Sequence, residues 1–172
     1  MFVDPVVCTP AARQNLARHL LVLYTGITRN AASVLTSQKA GMRSRIAEVR
    51  QMCAIAREMR DVLLRANDIR EFGELLDRAW QIKRGLDANI SSGQIDAWYE
   101  RARAAGALGG KLLGAGNGGF LLLFCEPRVR TRVRAALGEL EEIDIDLEPE
   151  GSKIIYVGGE RWAPKYAAAA WA

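Results

Sequence analysis

The string GGKLLGAGNGGFLLLF, spanning residues 109–124, constrains the fold of this chain more than any other segment. Glycine adopts backbone conformations that other residues avoid, and it lets a ligand approach the backbone amides closely. Directly after the glycines, Phe120–Cys125 is an uninterrupted apolar run of strand length. The pattern predicts a tight loop that leads into a buried strand, and clustered amide donors in such a loop can cradle an anion such as phosphate.

Two familiar phosphate-binding motifs do not fit this loop. Gly114, Gly116 and Gly119 satisfy G-x-G-x-x-G, but the dinucleotide fingerprint requires a helix after the loop, and here an apolar strand follows. A Walker A motif requires Ser or Thr after its lysine, whereas Leu112 follows Lys111. Lys111 is expected to be a charge at a sheet edge. From the loop alone, a glycine hairpin that serves only tight packing remains an equal alternative.

Helical periodicity dominates the segment before the loop. Apolar residues recur every three or four positions over residues 42–63, which predicts an amphipathic helix, and a second helix follows from Ile69. Ser91 and Gln94 have the spacing of a capping box at the start of a third helix, and Gly106 is placed to end it. The chain therefore groups its helices between two sets of strands.

Strand patterns flank these helices. Leu20–Tyr24 and residues 120–125 are apolar runs typical of buried strands, and residues 154–157 form a further short strand pattern. Over residues 143–148, aliphatic side chains alternate with acidic ones, which predicts a half-buried strand whose acidic residues face water rather than a metal. Strands and grouped helices in this order predict an α+β fold, with an antiparallel sheet and helices packed mainly on one face.

The length of 172 residues is typical of one domain with a sizeable core. We expect a single domain over residues 1–172, with residues 1–17 as a lead-in and residues 158–172 as an Ala-rich tail.

Charge and cysteine content exclude several classes of function. The net charge of +4 is small and the arginines are scattered, so no nucleic acid partner is expected. Cys8, Cys53 and Cys125 are far apart and accompany a single histidine, which favours neither a disulfide framework nor a metal site. No apolar stretch reaches the length of a membrane span, so we expect a cytoplasmic protein without a membrane partner.

The segment GALGGKLLGAGNGGFLLLF resembles the third signature motif of the GHMP kinases, a family named after galactokinase, homoserine kinase, mevalonate kinase and phosphomevalonate kinase. The strings LLVLYTGITRNA and AWQIKRGL resemble the D-glycero-D-manno-heptose 7-phosphate kinase branch, and the similarity extends over roughly residues 5–157. The resemblance implies the carboxy-terminal half of a two-domain kinase, with a ferredoxin-like layout of the α+β fold.

The resemblance also implies where ligands bind. It places the glycine loop in the cleft between the two halves, near the nucleotide phosphates and the phosphoryl acceptor, and so assigns phosphate contacts to Gly114, Ala115, Gly116, Asn117, Gly118 and Gly119. Asn117 stands where this branch usually has glycine, and its side chain would either crowd the loop or add a hydrogen bond.

Substrate contacts are expected from two further groups of residues. Thr25, Thr28 and Arg29 follow a buried strand, and Arg29 has the donor geometry for a sugar phosphate, although a helix cap with a surface arginine explains them equally simply. Lys83 and Arg84 lie in a string shared with the family, but a lysine on an apolar helix face also reaches water by extending its side chain.

The family keeps its principal phosphate loop, of the G-x-G-x-x-S-S type, and its catalytic acid in the amino-terminal half, and neither string occurs here. We therefore expect half of a kinase that phosphorylates the anomeric hydroxyl of a heptose 7-phosphate, without a catalytic residue or metal ligand of its own. ATP and Mg²⁺ would be cofactors of the intact enzyme and not of this chain alone. Its partners would be the sugar phosphate and an amino-terminal half, with a homodimer left open. The alternative is a non-catalytic ligand-binding or dimerisation module.

Overall fold

The computed structural model describes residues 6–28, 42–65 and 68–147. Arg29, the predicted strand over residues 154–157 and the Ala-rich tail lie outside the described residues. The helices are α1 (Pro10–His19), α2 (Ile46–Arg65, preceded by a 3-10 turn at Met42–Arg45), α3 (Arg70–Arg84), α4 (Gly93–Ala104) and α5 (Pro127–Ala136). The strands are β1 (Leu20–Tyr24), β2 (Gly109–Leu112), β3 (Phe120–Phe124) and β4 (Glu141–Ile143).

The four strands form one antiparallel sheet in the order β2-β3-β1-β4. In sequence, β1 is followed by the grouped helices, then the β2-β3 hairpin, then α5 and β4. This is the ferredoxin-like α+β layout, and the predicted fold class is confirmed. Because β2 and β3 are consecutive and paired, the glycine loop that joins them emerges at one end of the sheet.

The core has three clusters of buried residues. Strand alternation separates a large cluster from a small one, and Ile55, Val62 and Leu75 form a third between α2 and α3. Leu21 and Leu23 of β1 join the large cluster, together with Trp80, Tyr99 and Val133 from the helices. The residues that alternate with them contribute to a smaller cluster, which contains Leu20, Leu76 and Phe124. Most helical core side chains therefore pack on the face that carries Leu21 and Leu23.

The start of α4 differs from the prediction by one residue. The cap is Ser92, whose hydroxyl accepts the Ile95 N–H at 3.4 Å, so the assignment of Ser91 as the cap was wrong. Ser92 has the extended backbone that a cap requires, whereas the hydroxyl of Ser91 donates to the Asp96 carboxylate at 2.7 Å. Gly106, with φ of +107°, follows the end of this helix as predicted.

The strand predicted over residues 143–148 was also wrong, because β4 covers only Glu141–Ile143. Ile143 lies opposite Val22, and continuing the ladder would place Ile145 opposite Leu20. The Leu20 carbonyl instead accepts a hydrogen bond from the Arg130 guanidinium at 2.6 Å. The Arg130 side chain thus takes the carbonyl that the backbone of a longer β4 would need as a hydrogen-bond acceptor.

Candidate functional site

The loop that joins β2 to β3 has an unusual backbone. Positive φ angles occur at Gly114 (+75°), Gly116 (+121°), Asn117 (+57°), Gly118 (+153°) and Gly119 (+91°). Residues with side chains rarely adopt such angles, and this accounts for the density of glycine in the segment.

One side of the loop is held against the chain that follows β1. A Cβ at Gly118 would lie 2.4 Å from the Ile27 carbonyl oxygen, and the Gly119 N–H donates to that same oxygen at 2.9 Å. The hydroxyl and the backbone N–H of Thr25 both donate to the Gly119 carbonyl, at 2.8 and 2.9 Å. Thr25 is only 6% exposed and its hydroxyl secures the loop, while its predicted contact with a substrate stays a prediction.

The other side of the loop is held against the turn that follows α3. A Cβ at Gly116 would lie 2.7 Å from the Ile90 carbonyl oxygen, and the Asn117 N–H donates to this oxygen at 2.9 Å. Asn117 follows the left-handed backbone of the loop, which asparagine tolerates better than most residues. The residue therefore fits the position without disrupting either anchor.

An open cleft of about 400 Å³ lies over this loop, lined by Tyr24, Ile27, Thr28, Leu113, Gly114, Ala115, Gly116, Gly118, Gly119 and Phe120. Among the described residues, the backbone N–H groups of Gly114, Gly116 and Gly118 have no acceptor. The rings of Tyr24 and Phe120 pack with centroids 5.3 Å apart, and Phe120 is 39% exposed. The residues that line the cleft thus include three glycines with unpaired amides and two packed aromatic rings.

Lys83, at the end of α3, reaches this loop. Its Nζ donates to the Gly114 carbonyl at 3.0 Å, so the side chain contacts the predicted phosphate loop directly. Burial lowers the pKa of Lys83, and the nearby charge of Lys111 lowers it further. Lys111 lies on β2, at the edge of the sheet as predicted.

The other predicted substrate residues occupy different positions. Arg84 pairs with Asp96 at 3.4 Å and with Glu100 at 3.8 Å, so its guanidinium is engaged by acidic side chains of α4. Thr28 is exposed and borders the cleft. The structure therefore brings Thr28 and Lys83 to the loop and turns Arg84 towards α4, and substrate contact by any of them stays a prediction.

Within the part of the chain that the structure describes, no group of three or more His, Cys, Asp or Glu side chains is arranged to hold a metal. The described helices include none that is both long enough and apolar enough to cross a membrane.

Comparison with protein families shows that residues 61–142 match the family described as GHMP kinases C terminal. An L-fucokinase/L-fucose-1-P guanylyltransferase of Bacteroides fragilis is 31% identical over 124 residues, covering 69% of this chain and 13% of the relative. The D-glycero-alpha-D-manno-heptose 7-phosphate kinase of Campylobacter jejuni is 27% identical over 140 residues, covering 80% of this chain and 41% of the relative. The chain thus spans less than half the length of these relatives.

Solved structures share the fold. The L. major mevalonate kinase, in complex with R-mevalonate, superposes with a TM-score of 0.61 at 23% identity, over 70% of this chain and 37% of that protein. A putative sugar kinase from Campylobacter jejuni superposes with a TM-score of 0.59 at 22% identity, over 87% of this chain and 40% of that protein. These structures show the fold alone, and the family match over residues 61–142 together with the similarity to the heptose 7-phosphate kinase confirms the family resemblance.

Proposed function

We propose that this chain, whose residues 61–142 match the family of GHMP kinase carboxy-terminal domains, forms one wall of the active cleft of an ATP-dependent sugar kinase. The observation that carries this proposal is the glycine loop, in which Gly114, Gly116 and Gly118 line an open cleft and have amides without acceptors among the described residues. Phosphoryl transfer depends mainly on positioning and on neutralising charge, and clustered amides supply both to a phosphate group.

The acceptor in this proposal is the anomeric hydroxyl of D-glycero-D-manno-heptose 7-phosphate. The similarity to the Campylobacter jejuni heptose 7-phosphate kinase supports that choice, and the similarity to the Bacteroides fragilis fucokinase makes L-fucose the competing acceptor. We propose substrate contacts for Thr28, which borders the cleft, and for Lys83, whose Nζ donates to the Gly114 carbonyl.

The nucleotide would be ATP, with its phosphates near the loop amides and Mg²⁺ balancing their charge. The described residues provide amides for phosphate but no cluster of metal ligands. We therefore assign the magnesium ligands and the catalytic acid to an amino-terminal half, and we place the reaction in the cytoplasm.

Calorimetry tests this proposal. Mg²⁺–ATP and then the heptose 7-phosphate are titrated into the folded chain, alone and with a separately produced amino-terminal kinase half. We expect saturable binding of both substrates to the mixture. If the two folded halves together bind neither substrate, the kinase proposal fails and a non-catalytic module becomes the better account.

A further inference from the structure

Lys83 and Lys111 lie on neighbouring elements, because α3 runs alongside β2. A Cβ at Gly109 would lie 2.0 Å from the Gly73 carbonyl oxygen, so the two backbones touch at this point. Ten residues further along the helix, about 15 Å at the usual rise, Lys83 reaches Gly114. From Gly109 to Gly114, five residues of extended chain span a similar distance of about 16 Å. Lys111 lies between these two contact points.

Neither lysine has a carboxylate partner among the described residues. The ion pairs that the described residues of this region form instead involve arginines, as in the pairing of Arg84 with Asp96 at 3.4 Å. Lys83 and Lys111 are both partly buried. Holding two like charges close together and away from water is unfavourable unless an anion balances them.

The pKa of Lys83 agrees with this arrangement, since burial lowers it first and the charge of Lys111 lowers it further. An anion between the two side chains would balance the charge of Lys111, and its attraction for the Lys83 ammonium group would oppose the effect of burial on the pKa of Lys83. The unpaired amides of Gly114 and Gly116 lie in the same loop that Lys83 contacts.

We infer that Lys83 and Lys111 together bind a phosphate group carrying two negative charges, at the side of the glycine loop that faces α3. This inference rests on the proposed kinase function and deepens it, because it adds Lys111 to the binding residues and gives the paired lysines one ligand. The phosphate of a sugar phosphate and a phosphate of the nucleotide share this chemistry.

Lysine side-chain NMR of the full chain tests the inference. The sequence contains five lysines, so labelled side-chain signals can be assigned by substitution. Inorganic phosphate is titrated at constant ionic strength into the wild type, Lys83→Met and Lys111→Met. Arg57→Met serves as the matched control, because Arg57 is exposed on α2 and its loss removes the same charge.

Phosphate is expected to shift the signals of Lys83 and Lys111 and to raise the pKa of Lys83. Each lysine variant is expected to bind at least about tenfold more weakly, the effect of losing a hydrogen bond to a charged group, and the control is expected to bind like the wild type. Unmoved lysine signals, or lysine variants that bind like the control, would overturn the inference.

Separate titrations with a heptose 7-phosphate and with ATP then show which substrate supplies the phosphate, and a response to either supports the site. The two proposals fail in distinguishable ways. A chain that shows the phosphate response but reconstitutes no kinase would contradict the kinase function alone. A reconstituted kinase whose KM values for both substrates are unchanged in Lys83→Met and Lys111→Met would overturn the lysine site alone.

Discussion

Thr25 and Gly119, which are 94 residues apart in sequence, are joined by two hydrogen bonds to a single carbonyl oxygen. The Thr25 hydroxyl donates at 2.8 Å and its backbone N–H at 2.9 Å. The same hydroxyl accepts the Ile27 N–H at 3.3 Å. The end of β1 therefore fixes the end of the glycine loop, and the shape of the cleft depends on this contact.

Replacing Thr25 by Val keeps the branched shape and removes both roles of the hydroxyl. We expect a loss of about 1 kcal/mol in the free energy of unfolding, typical of a buried hydrogen bond, measured by urea denaturation. Thr25→Ser retains the hydroxyl and is the control. Equal destabilisation by Ser and Val would show that the methyl group, and not the hydroxyl, secures the loop.

Gly118 and Gly119 offer a matched comparison within the loop. Both have positive φ, so Ala at either position is strained by about 1–2 kcal/mol. A Cβ at Gly118 would also lie 2.4 Å from the Ile27 carbonyl oxygen, whereas a Cβ at Gly119 has nothing within 4 Å. We expect Gly118→Ala to unfold at a clearly lower denaturant concentration than Gly119→Ala. Indistinguishable midpoints would contradict the close approach to Ile27.

Asn117 has φ of +57°, and its N–H donates to the Ile90 carbonyl at 2.9 Å. Asn117→Gly is therefore expected to change the free energy of unfolding little, while Asn117→Val is expected to cost about 1–2 kcal/mol because a branched residue resists this backbone. Thermal melts of the two variants against the wild type measure the difference. A Val variant as stable as the Gly variant would show that the loop lacks this conformation in solution.

We predict that the contribution of Glu139 to the stability of the fold depends on pH. Its hydrogen bond from Arg101 is the main cause that lowers the pKa of Glu139 from 4.5 to about 2. The Trp98 indole N–H also donates to this carboxylate, at 2.9 Å. A depressed carboxyl pKa contributes stability that is fully present above pH 4.5 and is lost as the pH falls towards 2.

The measurement for Glu139 is denaturation of the wild type and of Glu139→Gln across this pH range. We expect the wild type to be the more stable above pH 4.5 and the difference to shrink as the pH approaches 2. A difference that does not vary with pH would mean that the ionised carboxylate makes no net contribution.

Two strands of the sheet and the loop were predictable because their signals are local, whereas β2 was not predicted as a strand. The apolar runs that became β1 and β3 need only strand-length patterning, and the positive φ angles of the loop need glycine. Ser91 and Ser92 are adjacent and chemically alike, so sequence could not decide which one caps α4. The length of β4 depends on a hydrogen bond from Arg130 to the Leu20 carbonyl, a contact between distant parts of the chain.

The residues that hold the glycine loop in place could not be predicted from the sequence, for a related reason. Ile27 and Ile90 hold the loop through backbone carbonyls, which every residue possesses, so no residue type marks them. The contact of Lys83 with the Gly114 carbonyl follows from α3 lying against β2 at Gly73 and Gly109. Such close packing is visible only once the helix has been placed along the edge strand.

The central claim is that this chain forms one wall of a kinase cleft. An assay of ADP release tests it most directly, with Mg²⁺–ATP as the donor and D-glycero-D-manno-heptose 7-phosphate as the acceptor. The assay compares this chain, a separately produced amino-terminal kinase half, and their mixture. We predict acceptor-dependent ADP release by the mixture alone, and a strong loss of that activity when Gly118→Ala replaces the wild type. A mixture of two folded halves that releases no ADP with either the heptose 7-phosphate or L-fucose would contradict the claim.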